Sequence, residues 1–263
     1  MTGAIIGDII GSTYEWHNVK SENIELFPAG SRFTDDTVLS VAVAEKILNE
    51  EFSNLASRKS FALWYRQYYN RYPHAGFGQM FSKWASSEGI GIQRSYGNGA
   101  AMRVTAIGLA YESEKEIMRE AKASCYYTHN HPEAIRGARA VAIAVFLAKK
   151  QCDKDEIRRK IENKFRYKLK SLDEIRADYV FDSRTSYSVP PAIEAFLESN
   201  SYEDAIRKAI SIGGDSDTIA CMTGGIAQAY YRKIPDEIYH RAMSILDVGL
   251  KRIACEFENR YLR

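Results

Sequence analysis

Cysteine is scarce in this chain of 263 residues: four, at Cys125, Cys152, Cys221 and Cys255, far apart and with no C-x-x-C pair or histidine at metal-ligand spacing. That pattern excludes a disulfide-stapled scaffold and a thiolate zinc site, and reads as reduced thiols in a cytoplasmic protein. Long apolar runs are missing too. The longest, Ala140 to Ala148, is nine residues, less than half a membrane span. The apolar N-terminus has no basic stretch before it and is interrupted by Asp8, which makes it a poor signal peptide. Net charge is nearly absent, 36 basic against 34 acidic side chains, so no strong pull toward nucleic acid or anionic membranes is expected. With 45% hydrophobic residues, a largely disordered chain is excluded. Proline is rare (six), whereas glycine and tyrosine are each present 17 times.

Few prolines and few turn dipeptides predict long helices. From Val38, VLSVAVAEKIL spaces Val38, Val41, Ile47 and Leu48 along a helix. Asn54 is placed to cap a helix reaching Tyr69; Ser113 with Glu116, and Ser171 with Glu174, have capping-box spacing, and Ser201 with Asp204 is a weaker version. His131 to Lys150 and Ser216 to Tyr231 read as long buried helices, and Pro235 is placed in the first turn of another. Nothing alternates apolar and polar long enough for a strand. The expectation is an all-α fold: a compact, single-domain orthogonal bundle of about a dozen helices spanning residues 1–263. The best candidate boundary is Gln151 to Lys170. Its seven basic residues between Ile157 and Lys170 read as a solvated helix face, neutralised by flanking acids, rather than a nucleic-acid patch. Asp178 to Ser188 reads as a surface loop.

Two short acidic stretches share one grammar. Thr34-Asp35-Asp36-Thr37 precedes the Val38 helix, and Gly213-Gly214-Asp215-Ser216-Asp217-Thr218 precedes an apolar helix from Ile219. Each alone is a good helix cap, with negative charge at the positive end of the helix dipole. Together they hold four aspartates, more than capping needs. If the two helix starts converge, like charges raise one another's pKa and oppose folding unless a cation intervenes. Oxygen-only donors suit hard divalent ions such as Mg²⁺ or Ca²⁺ and not zinc. The reading is an oxygen-only dinuclear cleft, with the reaction left open.

Glycine loops complement this. Tyr96-Gly97-Asn98-Gly99-Ala100-Ala101-Met102-Arg103 leads toward a helix, and His74-Ala75-Gly76-Phe77-Gly78-Gln79-Met80 is a second such loop. Glycines before a helix let backbone N–H groups approach an anion, which points to a phosphate-bearing ligand. Thr128-His129-Asn130-His131-Pro132 is a third polar turn. There His129 suits a contact to phosphate or ribose better than to a metal.

The ordered set GDIIGSTYEW (Gly7 to Trp16), FTDDT (Phe33 to Thr37), GFGQM (Gly76 to Met80), SYGNGAAMR (Ser95 to Arg103), THNHP (Thr128 to Pro132) and GGDSDT (Gly213 to Thr218) resembles the ADP-ribosylglycohydrolase family, from residue 3 to about 235. The resemblance implies a compact all-α fold with two Mg²⁺ ions, Mn²⁺ being the alternative, beside the ribose of the scissile glycosidic bond. By motif position it implies Thr34, Asp35 and Asp36 as one set of metal ligands and Asp215, Asp217 and Thr218 as the other. It further implies Glu15, Asp35 and Asp36 as catalytic groups. Gly76, Gly78, Met80, Ser95, Tyr96, Gly97 and His129 fall where the family contacts diphosphate and riboses. The implied substrate is an ADP-ribosylated protein or small molecule. A monomer in the cytoplasm is expected, with no membrane and no nucleic acid beyond an ADP-ribosylated acceptor.

Some positions depart from the family pattern. Ile90 stands where relatives place an aromatic near the adenine, Arg94 adds a charge, and Gln228 and Arg232 replace glycines after the GGDSDT helix, read as a packing matter. Two other classes remain: a non-catalytic ADP-ribose binder or structural relative, and a hydrolase of a small ADP-ribose conjugate or nucleotide.

Overall fold

Glycine determines how the centre of the molecule is built, as a computed structural model describing residues 1–49 and 56–262 shows. Among the described residues there are fourteen α-helices and no strand. The first half comprises α1 (Thr2–Gly11), α2 (Asp35–Leu48), α3 (Ser57–Arg71), α4 (Gln79–Ala85), α5 (Thr105–Ala110), α6 (Glu114–Cys125) and α7 (Pro132–Lys149). The second half comprises α8 (Lys154–Phe165), α9 (Leu172–Arg176), α10 (Thr185–Leu197), α11 (Tyr202–Ser211), α12 (Ser216–Tyr231), α13 (Asp236–Ile245) and α14 (Val248–Tyr261).

All ten residues of α1 are buried, and α12 is buried from Ser216 to Ala229. These two helices form the most extensive pair in the fold. Gly3, Gly7 and Gly11 recur every fourth residue along one face of α1, so backbone meets backbone. A Cβ at Gly7 would lie 2.0 Å from the Ala220 carbonyl oxygen, and one at Gly11 would lie 2.4 Å from Asp217 Cα. Helices α7, α10 and α11 pack around α12, while α2 joins α3, α5 and α14 on the other flank. Helix α11 follows the usual apolar stripe: Tyr202, Ala205, Ile206, Ala209 and Ile210 are buried and the charges between them face water.

Local signals account for most helix ends. Ser171 and Glu174 form a reciprocal capping box, and Ser201 accepts from the Asp204 N–H. Ser113 caps through the Glu116 N–H, but its hydroxyl also donates to the Glu116 carboxylate (2.7 Å), so that box is not reciprocal. Asn54 lies outside the described residues; α3 begins after Ala56 with no side-chain cap. Pro235, expected inside the first turn, is instead the N-cap of α13, its ψ of 134° being extended. The loop expected from Asp178 to Ser188 ends early, because α10 begins at Thr185 and runs through Pro190 and Pro191. Proline removes a helical N–H. The Tyr187 carbonyl that Pro191 would otherwise engage accepts the Tyr179 hydroxyl instead (3.1 Å).

The basic residues on α8 that form ion pairs find their acids elsewhere in the fold and not in the flanking segments. Lys160 and Lys164 both pair with Glu114, and Arg158 pairs with Glu194. Gln228 does more than pack. Its Oε1 accepts from the Met1 ammonium (2.6 Å) and the Gly3 N–H (2.8 Å), and its Nε2 donates to Thr2 Oγ1 and Glu258, tying α1 to α12 and α14. Arg232 caps α12 in the left-handed conformation (φ 57°), which costs a non-glycine residue about 1 kcal/mol, so the residue at this position bears on backbone geometry as well as on packing. No helix among the described residues is long and apolar enough to cross a membrane.

Candidate active site

The close α1–α12 packing brings three distant segments to one point. Asp8 on α1, Asp36 in the first turn of α2 and Asp217 in the first turn of α12 each present a carboxylate oxygen within 4.8 Å of the others. Glu15, Asp215 and Asp217 form a second such group that shares Asp217. The two acidic stretches therefore converge as their matched grammar predicted, at facing helix N-termini.

Gly213 and Gly214 aim the second stretch. Both have positive φ (73° and 74°), and a Cβ on Gly214 would fall 2.5 Å from the Tyr179 ring, so neither position accepts another residue without strain. The Gly214 N–H is held by Asn18 Oδ1. Asp215, which follows, accepts from Asn98 Nδ2 (2.7 Å), and Asn98 also reaches Ser188 Oγ (2.9 Å). Asp217 Oδ1 accepts from the Thr218 N–H (2.8 Å).

Burial dominates the electrostatics. It pushes the Asp35 carboxyl up to about 8, with Asp8 and Asp215 adding to the rise, and Glu15 up to about 7, with Asp215 the next cause. Asp36 and Asp217 are held well above the usual carboxylate range by burial first and by neighbouring aspartates second. So many carboxylates buried together require protons or cations. Asp36 Oδ1 is buried with no hydrogen-bond partner, and Asp36 Oδ2 has only a long contact from the Thr218 hydroxyl (3.4 Å), the Thr34 hydroxyl at the same distance having given its proton to Asp8. This under-satisfied, all-oxygen donor set fits hard divalent cations.

Asp8 plays a different part. It accepts the N–H and the hydroxyl of both Thr34 and Thr37, with Thr34 Oγ1 at 2.6 Å. Its lone pairs are largely taken, so it anchors the start of α2 and turns the Thr34 hydroxyl oxygen toward Asp36. Asp8 lies outside the two acidic stretches that the sequence pattern singles out. The available signal was a carboxylate inside an otherwise apolar helix, and such a group is buried only when it is satisfied.

A cleft of about 480 Å³ opens from the carboxylates. Its acidic end is formed by Glu15, Thr34, Asp35, Asp36, Asp215, Asp217 and Thr218. Gly76, Gly78, Met80, Ser95, Gly97 and His129 line the rest, so thirteen of the fourteen site residues read from the sequence meet in one cavity. Tyr96 does not line it: its ring is half exposed and packs edge-on against His131 (5.6 Å), while its carbonyl accepts from Thr185. The loop after Tyr96 also differs from expectation. It passes into a 3₁₀ turn (Asn98–Ala100) before α5, because the Asn98 side chain is tied across to Asp215 and Ser188. The cleft mouth beside Glu15 carries Trp16 and Phe181, both exposed, with ring centroids 6.5 Å apart. Arg32, Asn98 and Arg103 line the cavity as well and were not assigned from sequence.

The ADP-ribosylglycohydrolase family profile matches residues 1–256 of this chain. The chain belongs to the ADP-ribosylglycohydrolase family. It is 29% identical to ADP-ribosylhydrolase ARH3 of Mus musculus, over 88% of this chain and 82% of that protein. It is 28% identical to ADP-ribosylarginine hydrolase Tri1 of Pseudomonas putida, over 88% and 69%. A solved structure described as an ADP-ribosylglycohydrolase-related protein complex shares the fold, with a TM-score of 0.70 and 22% identity over 98% of this chain and 95% of that one. In this ADP-ribosylglycohydrolase, His129 lines the cleft from the turn before α7, beside the Gly97–Gly99 loop. Burial, with the Arg103 charge second, holds its imidazole well below the ordinary range. Backbone bonds from Gln93 N–H to the Tyr127 carbonyl and from Asn130 N–H to the Gln93 carbonyl fasten that turn to the loop before Ser95.

Proposed function

We propose that this enzyme hydrolyses the glycosidic bond between ADP-ribose and an acceptor, with two divalent cations, Mg²⁺ or alternatively Mn²⁺, at the acidic end of the cleft. Thr34, Asp35 and Asp36 would hold one side of the cation pair, and Asp215, Asp217 and Thr218 the other. The observation that carries this reading is the convergence of the Asp36, Asp215 and Asp217 carboxylates with Glu15 in a single cavity lined by both stretches, with Asp36 Oδ1 buried and unpartnered. When bound, the cations supply positive charge that engages ribose hydroxyls and acidifies water.

The protein's own groups account for the rest. Asp35 or Asp36 takes a proton from the attacking water. Glu15, whose burial keeps a proton available near neutral pH, gives one to the leaving acceptor. The bond from ribose C1 to the acceptor breaks as the bond to water oxygen forms, leaving free ADP-ribose and the protonated acceptor. Carboxylates beneath the sugar stabilise positive charge developing on the ring. Gly76, Gly78, Met80, Ser95, Gly97 and His129 line the path for diphosphate and riboses, and Tyr96 would contribute through the position of its loop. The acceptor, a protein side chain or a small molecule, leaves past Trp16 and Phe181. A monomer acting in the cytoplasm completes the reading.

The test is a panel of defined ADP-ribosyl linkages (arginine, serine, ester and nucleobase) assayed with Mg²⁺ and with a chelator. Asp35→Asn and Asp217→Asn should each lower turnover by ~10²-fold or more on the preferred linkage. Near-wild-type turnover in both variants, or turnover unaffected by chelation, refutes the metal account. ADP-ribose binding with no turnover on any linkage supports a non-catalytic relative instead.

A further inference from the structure

Arg103 is the largest fully buried side chain in the molecule, and it forms no ion pair among the described residues. Its guanidinium lies over the Tyr65 ring, 4.1 Å from the centroid, and it borders the cleft. Nη2 donates to the Ser124 carbonyl (3.1 Å) and to Thr128 Oγ1 (2.8 Å), while Nε and Nη1 have no partner. A buried guanidinium with no counter-ion is costly, and Leu or Met would fill this apolar position more simply. Its bond to Thr128 suggests what it does.

Thr128 is also fully buried, and its hydroxyl has two partners among the described residues: Arg103 Nη2 and His129 Nδ1 (2.8 Å). Arginine only donates, so Thr128 Oγ1 must accept from Arg103. The threonine proton then has one available acceptor, the lone pair of His129 Nδ1. In the opposite arrangement His129 would donate from Nδ1, and the Thr128 hydroxyl proton would be buried without an acceptor. An unsatisfied buried donor costs enough to select between two tautomers that are otherwise nearly equal in energy. With Nδ1 accepting, the ring proton resides on Nε2. That atom faces the open side of the glycine loop: a Cβ at Gly99 would lie 3.2 Å from it and one at Gly97 would lie 3.9 Å away.

We propose that Arg103 and Thr128 are positioning residues that lock His129 with its proton on Nε2, giving the cleft a fixed hydrogen-bond donor beside the Gly97–Gly99 loop. The donor relay runs in one direction, Arg103 to Thr128 to His129, and ends at the cavity. His129 so held offers a proton for a hydrogen bond and no lone pair to the cleft. It serves an anionic or carbonyl oxygen there and is excluded as a general base on that side. The small side chains opposite leave the donor unobstructed, which accounts for glycine at position 99 more directly than backbone conformation does, since Gly99 has no positive φ.

The test uses the full chain labelled with ¹⁵N-histidine and long-range ¹H–¹⁵N correlation at neutral pH. In the wild type His129 should show the pattern of a single Nε2–H tautomer. Thr128→Val removes the proton donated to Nδ1 and should convert that pattern to a tautomer mixture or to Nδ1–H, whereas Thr128→Ser should retain it. Arg103→Met empties a core position, so the Thr128 pair carries the decision. A wild-type His129 protonated on Nδ1, or a Thr128→Val spectrum identical to wild type, overturns the proposal. A second arm, which rests on the reading of the cleft as an ADP-ribose site, measures ADP-ribose affinity by calorimetry. Thr128→Val should weaken binding roughly tenfold and Thr128→Ser should recover most of it. Absence of ADP-ribose binding by the wild type, alongside the expected tautomer pattern, refutes the ligand reading and leaves the relay standing.

Discussion

Gly7→Ala tests the link between helix packing and the acidic cluster. The added methyl would start 2.0 Å from the Ala220 carbonyl oxygen, 2.5 Å from its carbon and 2.9 Å from the Cys221 nitrogen, where ordinary contact begins at 3.4 Å. All three atoms are backbone, so no side chain can rotate away and α1 must separate from α12. Overpacking of this kind costs up to about 3 kcal/mol, and the better helix propensity of alanine returns about 1 kcal/mol. The net loss is about 2 kcal/mol, a fall in melting temperature of roughly 4–8 °C for a chain of this length. Because Asp8 lies next to Gly7 and Asp217 is on the opposing helix, the separation also spreads the cluster. On the proposed cation reading, the increase in melting temperature on adding Mg²⁺ should therefore shrink. Gly78→Ala is the control: a Cβ there meets nothing within 4 Å, and its stability should change by less than about 0.5 kcal/mol. Thermal and urea unfolding of both variants, with and without Mg²⁺, decide the matter. Equal, small losses in the two variants would refute the argument that backbone contact at Gly7 sets the α1–α12 distance.

Two more outcomes follow from the cluster. Glu15 and Asp35 have folded pKa values raised to about 7 and about 8, above their unfolded values, so their protonation favours the native state. That stability is fully present below the unfolded values and lost as pH rises through the folded ones. The melting temperature of chelator-treated protein should accordingly fall by roughly 4 °C or more between pH 5 and 8.5, and Mg²⁺ should recover the loss at the alkaline end; a flat or rising profile contradicts the burial argument. Asp8→Asn places an amide N–H₂ against donors from Thr34 and Thr37, and should cost about 2 kcal/mol or more while weakening stabilisation by Mg²⁺. Wild-type unfolding and an undiminished Mg²⁺ response in that variant would show that Asp8 does not anchor Thr34.

The helices were legible because their signals are local. The apolar run of α7, the caps at Ser171 and Ser201 and the stripe on α11 each depend on residues within a turn or two. The ends that differed depend on something distant. Helix α10 continues through two prolines, and the carbonyl that Pro191 releases is taken up by Tyr179, a residue outside the helix. The glycine loop after Tyr96 bends into a 3₁₀ turn because Asn98 is drawn to Asp215, 117 residues away. Tyr96 itself was matched by motif position, and motif position does not say which way a ring turns; here it turns to His131.

The acidic stretches were legible for a different reason: four aspartates exceed what two helix caps require, and the excess itself signals a shared site. The same logic, carried further, reaches Asp8, whereas Arg103 stands out only once its burial is seen. Each violates the pattern of its surroundings, a carboxylate in a helix whose ten residues are all buried and a guanidinium with no acidic partner in the core. Their two solutions are opposite in sense. Asp8 collects four donors from α2 and so spends its charge on holding Thr34 in place, whereas Arg103 passes its donor capacity through Thr128 to His129. On the proposed reading, acid is concentrated at one end of the cleft and a directed donor lies along the rest, both set by where a few charges are buried.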